Sequence, residues 1–287
     1  MVRVPAQAAR DPSRSRGFSL VELIVVIVIT GVIASVVGLF ITGPIQGFLD
    51  QARRAGLVDA AQLALTRMGR DLRGALPNSV RINGDALELL LTLDGERYRV
   101  ESPGAADDRL ALTGTDTTFN TLAPFDLPVG TTSPVTAMVA IYPLQQDGAD
   151  PYDATDGVMT ASGAVAISTV VNNGQSEGRV TLAAAHRFPF DSPTRRAFLV
   201  SGPVTYLCSP PQLLRYDGYA VTAVQAVPPV GGTSIVIAGN VQDCEFQYLP
   251  GTAQRNAVVS IAVMLADPKA AEERIRLIRQ IHIGNAP

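Results

Sequence analysis

The chain has little of what metal and nucleophilic chemistry uses. Histidine and cysteine occur only twice each in 287 residues. His186 and His282 lie far apart with no metal-ligand companions at useful spacing, so each reads as a surface or strand histidine. Neither Cys208 nor Cys244 has a second Cys or His within five positions, so the usual zinc spacings are missing. No glycine-rich phosphate loop follows a strand pattern, and no serine elbow or Cys–His pair marks a nucleophile. Charge is scarce as well, at 17% of residues against the usual quarter. A net charge of -3 gives no whole-chain reason to expect nucleic-acid binding.

What the chain does have is apolar surface, 47% of residues, and punctuation. Its 25 glycines and 20 prolines are spread rather than massed, so they read as turns and not as a collagenous or disordered tract. The apolar residues concentrate near the start. Residues 1–17 are polar, with Arg3, Arg10, Arg14 and Arg16 against one acid, Asp11. From Leu23 to Ile41 no charge occurs, long enough for a helix of roughly 28 Å that crosses a bilayer. The arginines precede this run, so the positive-inside rule keeps the N-terminus cytoplasmic and sends the remainder outward. After that span roughly 230 residues remain, enough for one sizeable core.

An ordinary secretory signal would place its small-residue cleavage site after the apolar stretch, and Ala34–Ser35–Val36–Val37 makes a poor one. A plain uncleaved anchor would need no acid. Neither reading explains Glu22, a carboxylate at the edge of an otherwise apolar run. An acid costs about 2.5 to 3.5 kcal/mol at a bilayer centre, and less at the end of the span, where it still calls for a partner.

Residues Gly17–Phe18–Ser19–Leu20–Val21–Glu22–Leu23, after a basic leader and before a long apolar run, resemble the class III signal of type IV prepilins and type II secretion pseudopilins. The resemblance implies that a prepilin peptidase cuts between Gly17 and Phe18 and that the new amine of Phe18 is N-methylated. The apolar segment then stays on the mature protein, first as an inner-membrane anchor and then as the core of a helical filament. Glu22 neutralises the Phe18 amine of a neighbouring subunit during assembly. The implied partners are the peptidase, other pilin or pseudopilin subunits, the inner-membrane assembly platform and the membrane itself. No catalytic residue is implied. His186–Cys208, Leu213–Val221 and the ending RQIHIGNAP are similar to the MSHA-pilus biogenesis protein O family of minor pilins. The closing strand with Asn285 and Pro287 is also similar to the J-type minor pseudopilins of type II secretion. The first likeness implies a low-abundance subunit that initiates or caps a pilus. A tip adhesin using the loops Pro124–Pro134 or Val227–Thr233 is a second class of function, and an anchored periplasmic enzyme a third.

The expected fold is α+β. Gly31 with Ser35 and Ala34 with Gly38 are small residues four apart, which let apolar helices approach closely. Gly43–Pro44 should interrupt the helix. Leu57, Ala61, Ala64, Met68, Leu72 and Ala75 then recur at helical spacing, an amphipathic continuation that stops at Leu76–Pro77. The expected organisation is a leader over 1–17, a transmembrane or filament-core helix over 18–45, an amphipathic helix over 46–77 and a β-rich periplasmic domain over 78–287.

Strands are expected over Ala86–Leu93, Tyr98–Glu101, Val135–Leu144, Ala164–Val171, Arg179–Ala183, Ala197–Ser201 and Val204–Cys208. Leu213–Tyr216, Ala220–Val224, Ser234–Ala238, Cys244–Leu249, Val258–Leu265 and a last strand around Ile275–Ile283 continue the series, forming one mainly antiparallel sheet domain. In an exported body, Cys208 and Cys244 make one disulfide or two separate buried thiols. Asp147, Asp150, Asp153 and Asp156 fall three apart in a glycine-containing loop. They read as a solvated acidic loop or as weak candidates for calcium, the one cofactor the sequence raises, without the spacing of an EF-hand.

Overall fold

The computed structural model describes residues 17–101, 109–251, 255–268 and 270–284. Most of the basic leader and the closing Asn285 and Pro287 lie outside the described residues. The chain divides into two units at Arg53 and Arg54.

In the first unit the described residues form the N-terminal part of helix α1, Leu20–Arg73. The helix runs through Gly43–Pro44 without interruption, contrary to the break expected there. Proline's fixed φ is itself helical, so what the ring costs is one amide donor and some crowding of the preceding turn. Long helices tolerate that loss where a side chain, a neighbouring helix or a local adjustment satisfies the freed carbonyl. Every side chain described in this part is exposed.

The second unit begins with the rest of α1, and here the expected stripe appears. Leu57, Ala61, Ala64, Leu65, Met68 and Leu72 are buried, while Arg54, Asp59, Leu63 and Arg67 face outward. The helix stops at Arg73, short of the expected Leu76, because the sheet captures the next main-chain groups. The Leu76 amide donates to the Leu90 carbonyl at 2.7 Å, and the Thr92 amide to Gly74 at 2.8 Å.

Twelve strands follow. They are β1 (Arg81–Asn83), β2 (Ala86–Arg97), β3 (Asp116–Thr121), β4 (Val135–Ile141), β5 (Gly163–Asn172) and β6 (Gln175–His186). Then come β7 (Arg196–Ser209), β8 (Gln212–Asp217), β9 (Thr233–Gly239), β10 (Val241–Leu249), β11 (Ala257–Asp267) and β12 (Ala270–Ile283). Nine form a sheet in the order β1-β2-β7-β4-β5-β6-β3, with β8 and β9 continuing from β7. The last three form a separate sheet, β10-β11-β12. All pairings are antiparallel. The architecture is the expected α+β, with two sheets where one was expected.

The main core lies between the buried stripe of α1 and the inward faces of both sheets. Val259, Ile261, Val263 and Leu265 alternate inward along β11, and Ile281 and Ile283 on β12 join them. Leu87 and Leu89 of β2 with Val204 and Tyr206 of β7 supply the other wall. A second core of Phe119, Ile141, Val180, Phe188 and Leu199 fills the space among β3, β4, β5, β6 and β7. At about 1.5 to 3 kcal/mol for each large side chain taken from water, these two clusters dominate the favourable side of folding.

Two expected strands are absent. At Tyr98–Glu101 only an isolated bridge from Tyr98 to Thr121 forms, and the Tyr98 amide donates to the Arg195 carbonyl at 2.8 Å. Ala220–Val224 is irregular, since Arg81 draws out its carbonyls, donating to Thr222 at 2.9 Å and Ala223 at 2.7 Å. Conversely, β1 and β3 were not expected, and the segments Ala197–Ser201 and Val204–Cys208 are one strand running through Gly202–Pro203.

Candidate processing and assembly segment

Gly17, Phe18 and Ser19 precede α1 in irregular, exposed backbone. Ser19 is the N-cap: its hydroxyl accepts the Glu22 amide at 3.2 Å, and its carbonyl accepts the Leu23 amide at 3.1 Å. The order Ser19-Leu20-Val21-Glu22 is the S-x-x-E capping-box pattern, a local signal that spacing alone could have found and that the processing motif overlies. Glu22 is thus an exposed acid in the first turn, where the helix dipole favours negative charge. Phe18 lies before the cap, so it is not one turn below Glu22 on the same helix.

Among the described residues, no packing contact requires the glycines of this segment. A Cβ added at Gly17, Gly31, Gly38, Gly43 or Gly47 would meet no atom within 4 Å, and none of these has a left-handed φ. Each helix glycine still costs roughly 0.5 to 1 kcal/mol relative to alanine. Ser35 satisfies its own hydroxyl by donating to the Gly31 carbonyl at 2.8 Å, so it can sit in an apolar helix without an outside partner. By length and composition α1 is able to cross a membrane.

The cysteines are bonded. Cys208 in β7 and Cys244 in β10, with Cα atoms 6.0 Å apart, tie the larger sheet to the smaller one. Cys244 lies inside β10 rather than opening it.

In the acidic loop Asp147 is exposed and Asp150, Asp153 and Asp156 are half-exposed. Its carboxylates serve the loop's own backbone: Asp150 accepts the Tyr152 amide at 2.9 Å and Asp156 accepts the Asp150 amide at 2.8 Å. Asp153 accepts the Thr155 hydroxyl and amide, and these bonds hold its carboxyl below the usual range. Among the described residues no group of three or more His, Cys, Asp or Glu side chains could hold a metal ion. Tyr152 of the same loop is buried and donates to the Ser79 carbonyl at 2.7 Å. His186 sits at the end of β6 with Nε2 2.7 Å from the Gly157 carbonyl, and His282 is exposed on β12.

Three buried polar networks in the body were not foreseen from the sequence. Asp71, in the last turn of α1, accepts from the Tyr206 hydroxyl at 2.6 Å and from Arg215 Nε at 2.9 Å, while Arg215 also pairs with Asp217. Glu88 of β2 accepts from Arg81 at 3.0 Å, and the same guanidinium lies 3.6 Å over the Tyr152 ring. Burial pushes the Glu88 carboxyl up despite that arginine. Glu177 receives Arg99 and Asn120. Glu88 was the readable one, an acid set in the apolar run Leu87–Leu91 that needed a buried partner.

Residues 12–38 match the family model described as the prokaryotic N-terminal methylation motif. No curated protein and no solved structure matches the chain.

Proposed function

We propose that this chain, which its methylation motif supports as a type IV pilin-like or pseudopilin precursor, is a minor subunit that helps to initiate or cap a pilus of the MSHA type. It acts as a structural part and not as a catalyst. The observation that carries the reading is the motif itself, lying on an exposed segment whose glycines meet no packing contact among the described residues. Gly17 then serves the peptidase, which needs a small residue beside the scissile bond. The helix glycines serve neighbouring helices, which approach most closely where side chains are smallest. The helix crosses the inner membrane with its N-terminus inside, and the body faces the periplasm. The likeness of His186–Cys208 and Leu213–Val221 to the minor-pilin family favours the pilus over a type II secretion pseudopilus.

Glu22 carries two separable duties in this reading, the local cap and the pairing with a neighbour's Phe18 amine after cleavage. Two groups that apolar surroundings disfavour offset that cost by pairing. Glutamine at the same position still fits the capping box but has no charge. Glu22→Gln should therefore insert, be cleaved and yet fail to enter the fibre at matched membrane levels. Mass spectrometry of the wild type should find N-methyl-Phe18 at the mature terminus, and Gly17→Arg should stop processing. A mature terminus beyond Ile41, or full incorporation of Glu22→Gln, overturns the reading.

A further inference from the structure

Among the described residues β9 pairs with β8 alone and β12 with β11 alone, so each has one open edge. The edge of β12 carries Arg274, Arg276 and Arg279, and charge on an edge keeps other strands away. The edge of β9 has no such guard. Its sequence is TSIVIAG, and no Asp, Glu, Lys or Arg occurs anywhere from Gly218 to Gln242. Thr233, Ser234, Ile235 and Val236 are all exposed, so both faces of the strand are open there as well as its edge. The charge across the ladder from Ile235 is Arg215, which is buried and engaged by Asp71 and Asp217.

The register shows which main-chain groups point outward. The Cys208 amide donates to the Asp85 carbonyl at 2.9 Å, on the β2 side of β7, so the main chain of Cys208 faces away from β8. Cys208 is opposite Leu213, and hydrogen-bonded and non-hydrogen-bonded pairs alternate along an antiparallel ladder. Leu213, Arg215 and Asp217 therefore turn their N–H and C=O groups toward β9, where Ile235 and Thr233 are opposite Arg215 and Asp217. The residues between them, Ser234 and Val236, turn theirs to the open edge.

That edge is complementary to itself. When two copies lie antiparallel about a two-fold axis at Ile235, Ser234 of each meets Val236 of the other. Each of these pairs exchanges both of its N–H···O bonds. Ile235 then faces its own counterpart in the non-hydrogen-bonded position, where Cα atoms stand about 4.5 Å apart. Opposed β-branched side chains stabilise such a pair, and no like charges meet. A contact of this symmetry closes at two copies, so the edge is used up and does not propagate.

We propose that β9 is a docking edge for a second copy of this chain, paired antiparallel about Ile235. The proposal does not rest on the fibre reading, because purified protein tests it without processing or assembly. Pairing over so few residues buries less than the roughly 1,000 Å² of a stable interface, so the contact is transient and a covalent trap reads it.

The full chain in detergent micelles would be exposed to mild oxidant as two single variants. The native cysteines are bonded to each other, so each variant adds a free thiol. Ile235→Cys sets that thiol opposite its counterpart, at a Cα separation that a disulfide spans. Thr233→Cys lies on the same exposed strand, but its two copies are roughly 13 Å apart along the ladder. Ile235→Cys should run as a disulfide-linked dimer on a non-reducing gel, and Thr233→Cys as a monomer. Adding Val236→Pro to Ile235→Cys removes an amide on the open edge, where proline is tolerated. It should abolish the dimer while the melting temperature holds. If that variant misfolds, Ser234→Pro removes the other outward amide in its place. Monomeric Ile235→Cys, equal cross-linking of Thr233→Cys, or undiminished cross-linking in a folded proline variant would overturn the proposal.

Discussion

Helix α1 is one element of secondary structure built to two different specifications. Up to Arg53 its described side chains are all exposed and mostly apolar, and its glycines meet nothing. From Arg54 onward one face is buried, and one of its glycines has a neighbour on another element: Ile281 lies 3.6 Å from a Cβ at Gly69. The first part is apolar on every side, which fits surroundings that are themselves apolar. The second is apolar on one stripe, which fits a core on one side and water on the other. Both parts are the same continuous helix, so the difference lies in what the side chains require. It predicts that stability of the body depends on the second part and insertion on the first.

Charge should separate the two parts most sharply. Met68 is fully buried in the main core, and Met68→Asp leaves a carboxylate in apolar surroundings there. That should cost several kcal/mol, enough to abolish the cooperative melt of the body. Val28→Asp changes an exposed residue of the first part. It should leave the melt unchanged and instead hinder membrane insertion by about 2.5 to 3.5 kcal/mol. Circular dichroism and membrane fractionation of both variants give the contrast, and a body destabilised by Val28→Asp would break it.

The disulfide should come next. It joins residues 36 apart in sequence, one in each of the two sheets that wall the main core. On the loop-entropy model its loss, in the double variant Cys208→Ala with Cys244→Ala, costs about 4 kcal/mol. Chemical denaturation should show a lower midpoint with insertion intact. Quantitative alkylation of both thiols in unreduced, exported protein would contradict the bond itself.

A smaller effect is acid-dependent and opposite in sign at two carboxylates of the body. Asp217 is partly desolvated, yet hydrogen bonds from Thr233 and Arg215 hold its carboxyl below the ordinary range. Its contribution is present above that range and is lost as pH falls through the depressed value. Burial raises Glu88 against the pull of Arg81. Stability from its protonated form is complete below the ordinary carboxylate range and lost as pH rises through the raised value. Asp217→Asn should flatten the acid side of a stability profile and Glu88→Gln the other side, with Val28→Asp moving neither. Melting temperatures from about pH 3 to about pH 8 would show whether the two variants remove slopes of opposite sign, as proton linkage requires. The same slope lost in both would contradict one of the two directions.

Much of the contrast between the two parts of α1 was legible in the residues. Spacing alone placed Leu57, Ala61, Ala64, Met68 and Leu72 on the buried stripe, because a helical period on an amphipathic segment has few alternatives. Runs such as Val258–Leu265 gave strands for the same reason. What was not legible depended on distant partners. Ala220–Val224 has the composition of a strand, but Arg81 claims its carbonyls from far along the chain. Tyr98–Glu101 keeps only one bridge, to Thr121, a residue distant in sequence. The division into two sheets turns on β10 pairing with β11 and not with β9, and local pattern does not encode that. Near Glu22 the resemblance supplies a role between subunits, while the capping by Ser19, three residues away, is a matter of local geometry.

The smallest predicted effect tests the two parts with one methyl group. Gly69→Ala adds a Cβ 3.6 Å from Ile281 Cδ1 and 3.7 Å from the Arg279 guanidinium, ordinary contact distances with no backbone in the way. Replacing a helix glycine by alanine also removes disorder from the unfolded chain, so the body should gain about 0.5 to 1 kcal/mol. Gly38→Ala adds the same methyl where nothing lies within 4 Å, so no contact inside the chain resists it. If Gly38 is kept for close approach of a neighbouring helix, the methyl holds the two backbones apart at that point and lowers incorporation into the fibre. The body's melting temperature should then rise by a few degrees for Gly69→Ala and stay fixed for Gly38→Ala, while incorporation falls only for Gly38→Ala. Normal incorporation of Gly38→Ala would mean that the first part of α1 meets its neighbours on another face, and that its glycine at this position answers to something other than packing.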